Sequence, residues 1–88
     1  MKFQVGDLVL VKNINTRLRL LHPRLRLRLH DYPQLKNTYG VITEAINHSD
    51  AWEGRTNEGD NVYFWYSQVD AKTYYFCENE LTEYEVVK

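Results

Sequence analysis

The sequence has few of the features that cross-link a small protein, anchor it in a membrane or leave it disordered. It contains one cysteine, Cys77, so no disulfide can form within the chain, which is typical of a reducing environment and predicts a cytoplasmic protein. It has no apolar run of about 18 residues, so we expect no membrane span, and its first residues lack the apolar core of a signal peptide. Four glycines and two prolines are too few for a low-complexity chain.

Recognisable catalytic and cofactor motifs are also missing. There is no phosphate-binding loop, dinucleotide fingerprint or nucleophile elbow. The spacing of His22, His30 and His48 matches no metal-ligand pattern, and the arginines nearby would repel a cation. Cys77 is closely followed by Glu78 and Glu80, whose charge disfavours a thiolate, so we interpret it as a small core residue. We therefore expect no enzyme activity, no cofactor and no metal.

What the chain does have is aromatic and apolar surface in short runs. Hydrophobic residues make up 43% of the 88, and seven Tyr, three Phe and two Trp favour β-strands. This length predicts a single domain. Five runs have the length and composition of strands, at 8–11, 39–46, 62–69, 73–77 and 82–87. Residues 78–81 are typical of a single helical turn before the last strand.

The aromatic residues leave one question of orientation open. Every residue from Tyr63 to Tyr66 is aromatic, and side chains alternate between the two faces of a strand. Either Tyr63 and Trp65 or Phe64 and Tyr66 therefore face the core. Trp52, in the polar stretch 47–61, is the best candidate for an exposed functional aromatic residue.

The most unusual segment is a stretch rich in Arg and Leu between the first two strands, here called the Arg/Leu arm (residues 17–30). Its second half alternates strictly, which in a strand places leucines on one face and cations on the other. Pro23 falls where a turn would lie, so we predict a long basic hairpin with strands at 17–21 and 24–30. The alternative is a helix, because Leu18, Leu21, Leu25 and Leu29 also share a helical stripe, although Pro23 would interrupt it.

Charge is distributed unevenly along the chain. The net charge is −1, but residues 1–36 carry +6 and residues 37–88 carry −7. Such a division is typical of an interaction surface. The alternative is that the two halves neutralise each other across the fold or between subunits.

The Arg/Leu arm carries the functional prediction. Guanidinium groups on one ribbon can pair with carboxylates or phosphates, whereas the leucines would pack on the core, a second subunit or a partner. We expect a non-catalytic adaptor that docks an acidic protein; nucleic-acid binding through the same arm, a virion structural role and homo-oligomerisation are the alternatives. The predicted partner-binding residues are Arg17, Arg19, Arg24, Arg26, Arg28, His30 and Trp52.

Three short patterns resemble the small SH3-like barrels: Val5–Val9, Tyr39–Ile42 and Phe76–Leu81. They are similar to the corresponding places in KOW-type domains, in the small accessory barrels of photosynthetic electron-transfer complexes such as photosystem I, and in short phage proteins. The resemblance implies a five-stranded SH3-like barrel, with the Arg/Leu arm at the position of the long connection between the first two strands. It also implies binding rather than catalysis, although fold alone does not determine function.

Overall fold

The computed structural model describes residues 1–15, 26–47 and 61–87. Its described part is mostly β. The strands are β1 (Leu8–Ile14), β2 (Thr38–Ile46), β3 (Val62–Ser67), β4 (Thr73–Cys77) and β5 (Leu81–Val87). Short 3-10 turns lie at Pro33–Leu35 and Glu78–Glu80. The five predicted strands and the turn before the last one are confirmed, and only their ends differ.

The strands form one antiparallel sheet in the order β4-β3-β2-β1-β5. Strands β4 and β5 are its two edges, and within the described ranges they do not pair with each other. The predicted β class and strand number are therefore confirmed, whereas closure into a barrel is not seen. No helix in the described ranges is long and apolar enough to cross a bilayer.

The core lies on the face that carries Tyr63 and Trp65, which answers the question left open by the aromatic run. Both are fully buried, while Tyr66 points outward and is 39% exposed. Phe3 joins the same core from outside the sheet and packs edge-on against Tyr63 and Tyr84, at centroid distances of 5.0 and 5.2 Å. Cys77 is buried, as predicted.

Gly40 leaves room for the largest core side chain. A Cβ atom at this position would overlap Cε2 and Nε1 of the Trp65 indole. The indole sits against the bare backbone of β2 and donates a hydrogen bond from Nε1 to the carbonyl oxygen of Val9 at 3.1 Å. Glycine inside a strand often marks a bend or a close approach of another group, and at Gly40 it is required by the packing of Trp65.

Candidate functional site

The end of the Arg/Leu arm is attached to the outer side of β4. Arg26 forms a parallel bridge with Tyr75, and the Leu27 N–H donates to the carbonyl oxygen of Tyr75 at 2.9 Å. Leu27 is fully buried in the main core. Of the three alternatives for the leucines of this segment, packing on the core is the one observed for Leu27. The bridge covers part of an edge that would otherwise expose backbone groups.

Arg26 is buried, which corrects the prediction that it lies on a solvated cationic face. It is 6% exposed, and its Nε donates to Oε2 of Glu80 at 3.1 Å, with a second bond from Nη2. Glu80 is 1% exposed, and its Oε1 accepts the Cys77 backbone N–H at 2.8 Å. The prediction from period-two alternation holds only where one face of a strand is exposed to solvent. Here Arg26 is buried against β4 and the following 3-10 turn, and Leu27 is buried in the core.

Glu80 is a structural partner that sequence reasoning missed, because glutamates are almost never fully buried. A signal for it does exist in the sequence. A glutamate at the third position of a helical turn often accepts the backbone N–H of the residue before that turn, and Glu80 does this to Cys77. A glutamate held in that way is drawn towards the protein, where it can also receive a guanidinium.

Of the second predicted strand, 24–30, the described residues 26–30 form only the bridge at Arg26 and no continuous strand. The chain turns at 29–31, where the Asp31 and Tyr32 N–H groups both donate to the carbonyl oxygen of Arg28, at 3.2 and 2.9 Å. The prediction of a continuous strand to residue 30 is therefore wrong. The turn forms because these two bonds satisfy backbone groups locally, where no neighbouring strand among the described residues supplies partners.

This turn carries a surface pocket of about 260 Å³, here called the basic pocket, lined by Arg26, Arg28, His30 and Asp31. The side chain of Arg28 is 47% exposed, and its Nη1 lies 3.5 Å from Oδ2 of Asp31, which is 45% exposed. Exposed pairs at this distance contribute at most about 1 kcal/mol, so a competing carboxylate can exchange with Asp31. His30 is exposed and lines the same pocket.

The other predicted binding residues lie outside the described ranges: Arg17, Arg19, Arg24 and Trp52. The first predicted strand of the hairpin, 17–21, also lies outside them. The hairpin therefore stays a prediction. Of the predicted residues that the structure describes, Arg26, Arg28 and His30 lie together, with Arg26 buried and Arg28 and His30 exposed.

A second polar cluster joins the start of the chain to the body. Oε2 of Glu78 accepts hydrogen bonds from the Tyr63 hydroxyl at 2.5 Å, from Asn61 at 3.0 Å and from the Lys2 backbone N–H at 3.3 Å. Burial and then the bond to Glu78 raise the pKa of Tyr63 to about 12. Burial alone would raise the pKa of Glu78, but its three donors outweigh this and lower it. The cluster positions Phe3 in the core.

A similar hydrogen-bonded pair, Tyr74 and Asp70, stabilises the turn between β3 and β4. The Tyr74 hydroxyl donates to Oδ2 of Asp70 at 2.5 Å, and the Lys72 N–H donates to Oδ1 at 3.1 Å. Burial, followed by this bond, raises the pKa of Tyr74. Burial would raise the pKa of Asp70, but its hydrogen bonds prevail and lower it. Both clusters have a structural role: the first holds the start of the chain against the body of the protein, and the second stabilises the turn between β3 and β4.

Neither cluster provides a metal site. Among the residues that the structure describes, no three His, Cys, Asp or Glu side chains converge to hold a cation.

Comparisons with protein-family models, with curated proteins and with solved structures found no match.

Proposed function

We propose that this chain is a non-catalytic protein–protein interaction module, a small cytoplasmic adaptor that docks an acidic partner protein through the basic surface of the Arg/Leu arm. The observation that carries the proposal is the basic pocket. Arg28 and His30 are exposed there, immediately after the two residues that attach the arm to β4.

The attachment gives the pocket a rigid base. Leu27 is in the core and Arg26 is bound to Glu80, so the backbone that leads to Arg28 is held at two consecutive residues. Ordering side chains at an interface costs free energy on binding, and a segment that is already ordered loses less. Arg28 can form two parallel hydrogen bonds with a carboxylate, which makes an aspartate or glutamate of the partner the expected ligand.

The fold proposed for this module is an SH3-like barrel. The strand order β4-β3-β2-β1-β5, the long connection between β1 and β2 and the 3-10 turn before β5 support it. The bridge of Arg26 to Tyr75 also supports it, because it extends the pairing beyond β4. The basic hairpin at 17–30 belongs to the same proposal.

An acidic protein fits better than a nucleic acid. Arg26 is neutralised by the buried Glu80 and cannot contribute to phosphate binding. Residues 37–88 carry a net charge of −7, which repels a polyanion that extends beyond the arm. Proteins dedicated to nucleic acids are usually basic overall, whereas the isoelectric point here is about 6.3.

Direct binding experiments test the proposal. A poly-glutamate peptide and a single-stranded RNA of equal charge are titrated against the protein by fluorescence anisotropy at several salt concentrations. We expect the peptide to bind more tightly at physiological salt, and Arg28→Ser to weaken it several-fold, because one charge-assisted pair is lost. Lys72→Ser is the matched control, since Lys72 is exposed but lies outside the lining of the basic pocket.

Two results would contradict the proposal. Tighter binding of RNA with a steep salt dependence would assign the arm to nucleic acid. An equal loss of peptide binding in Arg28→Ser and Lys72→Ser would mean that charge acts without a defined site.

A further inference from the structure

Among residues 1–15, 26–47 and 61–87, the outer side of β5 has no paired strand. The strand Leu81–Val87 pairs with β1 along its inner side, and no described residue pairs with its other side. The opposite edge of the sheet differs, because β4 receives the bridge from Arg26. An edge strand presents a row of unpaired N–H and C=O groups, which can accept another extended chain.

The side chains of β5 define what such a chain would meet. Tyr84 and Val86 face inward and are half-buried against the core. Glu83, Glu85 and Val87 face outward and are exposed. On one face of the sheet, the side chains of an added strand would lie beside Glu83 and Glu85. On the other face, they would lie beside Tyr84 and Val86, at the margin of the apolar core.

The electrostatics of this edge favour a cation. On the neighbouring strand β1, Nζ of Lys12 already lies 2.7 Å from Oε1 of Glu85. The hydrogen bond to Glu85 raises the pKa of Lys12, with a smaller contribution from Glu83. Glu83 itself forms no ion pair within 1–15, 26–47 and 61–87. Within the described ranges, Lys12 is thus the cation near both Glu83 and Glu85, and the two exposed carboxylates outnumber it.

A second copy of the same strand is a poor occupant. Pairing two β5 strands would place glutamates beside glutamates, and like charges on neighbouring strands are destabilising. The same carboxylates attract a strand of opposite charge.

We propose that β5 binds an extended segment of a partner protein by β-strand addition, and that this segment carries Lys or Arg at alternate positions with apolar residues between them. The backbone groups of β5 provide the affinity. Glu83 and Glu85 select the cations, and Val86 with Tyr84 contacts the apolar residues. This surface is separate from the basic pocket and has the opposite charge preference.

The experiment uses three capped octapeptides. The first alternates Lys and Val, the second alternates Glu and Val, and the third keeps the lysines of the first but replaces its valines with Pro, which cannot donate backbone hydrogen bonds. Binding is measured by titration with the intact protein, with backbone amide chemical shifts as the map. We expect the Lys/Val peptide to bind about tenfold more tightly than the Glu/Val peptide, because two attractive cross-strand pairs replace two repulsive ones.

Charge reversal provides the matching test. The double variant Glu83→Lys with Glu85→Lys should reverse the preference between the first two peptides, and Glu83→Lys alone should reduce it while Lys12 keeps its partner. Glu44→Lys is the control, since Glu44 is exposed but lies on β2, which is paired on both sides. Arg28→Ser should leave Lys/Val binding unchanged, so failure of this proposal is distinguishable from failure of the acidic-partner proposal.

Three results would overturn the inference. The Pro-containing peptide binding as tightly as the Lys/Val peptide would show that charge alone acts, without strand addition. An unchanged preference in the double variant would exclude Glu83 and Glu85. Shift changes outside Leu81–Val87 and its neighbour β1 would place the site elsewhere.

Discussion

Individual residues of this protein are constrained most strongly where charge is buried. The ion pair of Arg26 and Glu80 is almost completely shielded from water, and such pairs need additional hydrogen bonds to offset the loss of hydration. Glu80 has one from the Cys77 N–H. The pair also connects the basic half of the chain to the acidic half, as does the pair of Lys12 with Glu85.

At the residue scale, we expect Arg26→Met to lower the free energy of unfolding by about 3–5 kcal/mol, because it leaves the Glu80 carboxylate buried without its cation. Adding Glu80→Gln should recover part of that loss, since Gln is neutral and can still accept the Cys77 N–H. Urea denaturation measures both variants. Strictly additive losses in the double variant would contradict the coupling of the two side chains.

At the scale of elements, the start of the chain is tied to β3 by the Tyr63 hydroxyl. The hydroxyl donates to Glu78 and also accepts the N–H of Lys2 at 3.0 Å. The folded state raises the pKa of Tyr63 from 10.0 to about 12, so the folded protein holds this proton more tightly than the unfolded chain does. The stability that results is fully present below pH 10 and is lost as the pH rises towards about 12.

We therefore expect the urea midpoint to fall between pH 10 and about 12, and Tyr63→Phe to make that fall shallower. Part of it should remain, because the pKa of Tyr74 is raised as well. Tyr66→Phe is the control on the same strand, since Tyr66 is exposed. A pH dependence that is identical in Tyr63→Phe and the parent protein would contradict the assignment.

At the scale of the whole molecule, the last part of the Arg/Leu arm folds together with the sheet. The Leu27 amide is hydrogen-bonded to β4, and its side chain lies in the same core cluster as Val9, Trp65 and Phe76. Residues that share one core are expected to open in one cooperative unit. The arm is therefore anchored at this end by the main core of the protein.

We expect the Leu27 amide to exchange its hydrogen as slowly as the amides of β3 and β4, and Leu27→Ala to destabilise the protein by about 2–5 kcal/mol through the cavity that it leaves. Native-state hydrogen exchange and urea denaturation measure the two effects. Fast exchange at Leu27 together with slow exchange in β4 would show that this segment opens independently of the sheet.

Local pattern was enough to predict all five strands, the helical turn before the last strand and the burial of Cys77. Strand patterns arise from neighbouring residues, whose alternation and turn residues can be read directly. The same reasoning failed at Arg26, because alternation cannot indicate that a second element will enclose both faces of a segment. It also failed at residues 29–31, where local backbone hydrogen bonds turn the chain although the Arg/Leu alternation continues.

By itself the sequence determined the β class, the positions of the strands and the division of charge along the chain, because these depend on residue type and on short-range order. Tertiary structure decided that Arg26 is buried and Arg28 is presented, that Tyr63 and Trp65 face inward, and that β5 has no second partner strand among the described residues. Those outcomes depend on contacts between residues as far apart as Arg26 and Glu80, which are separated by 54 positions. No local pattern records such a contact, because it exists only when the sheet brings the two segments together.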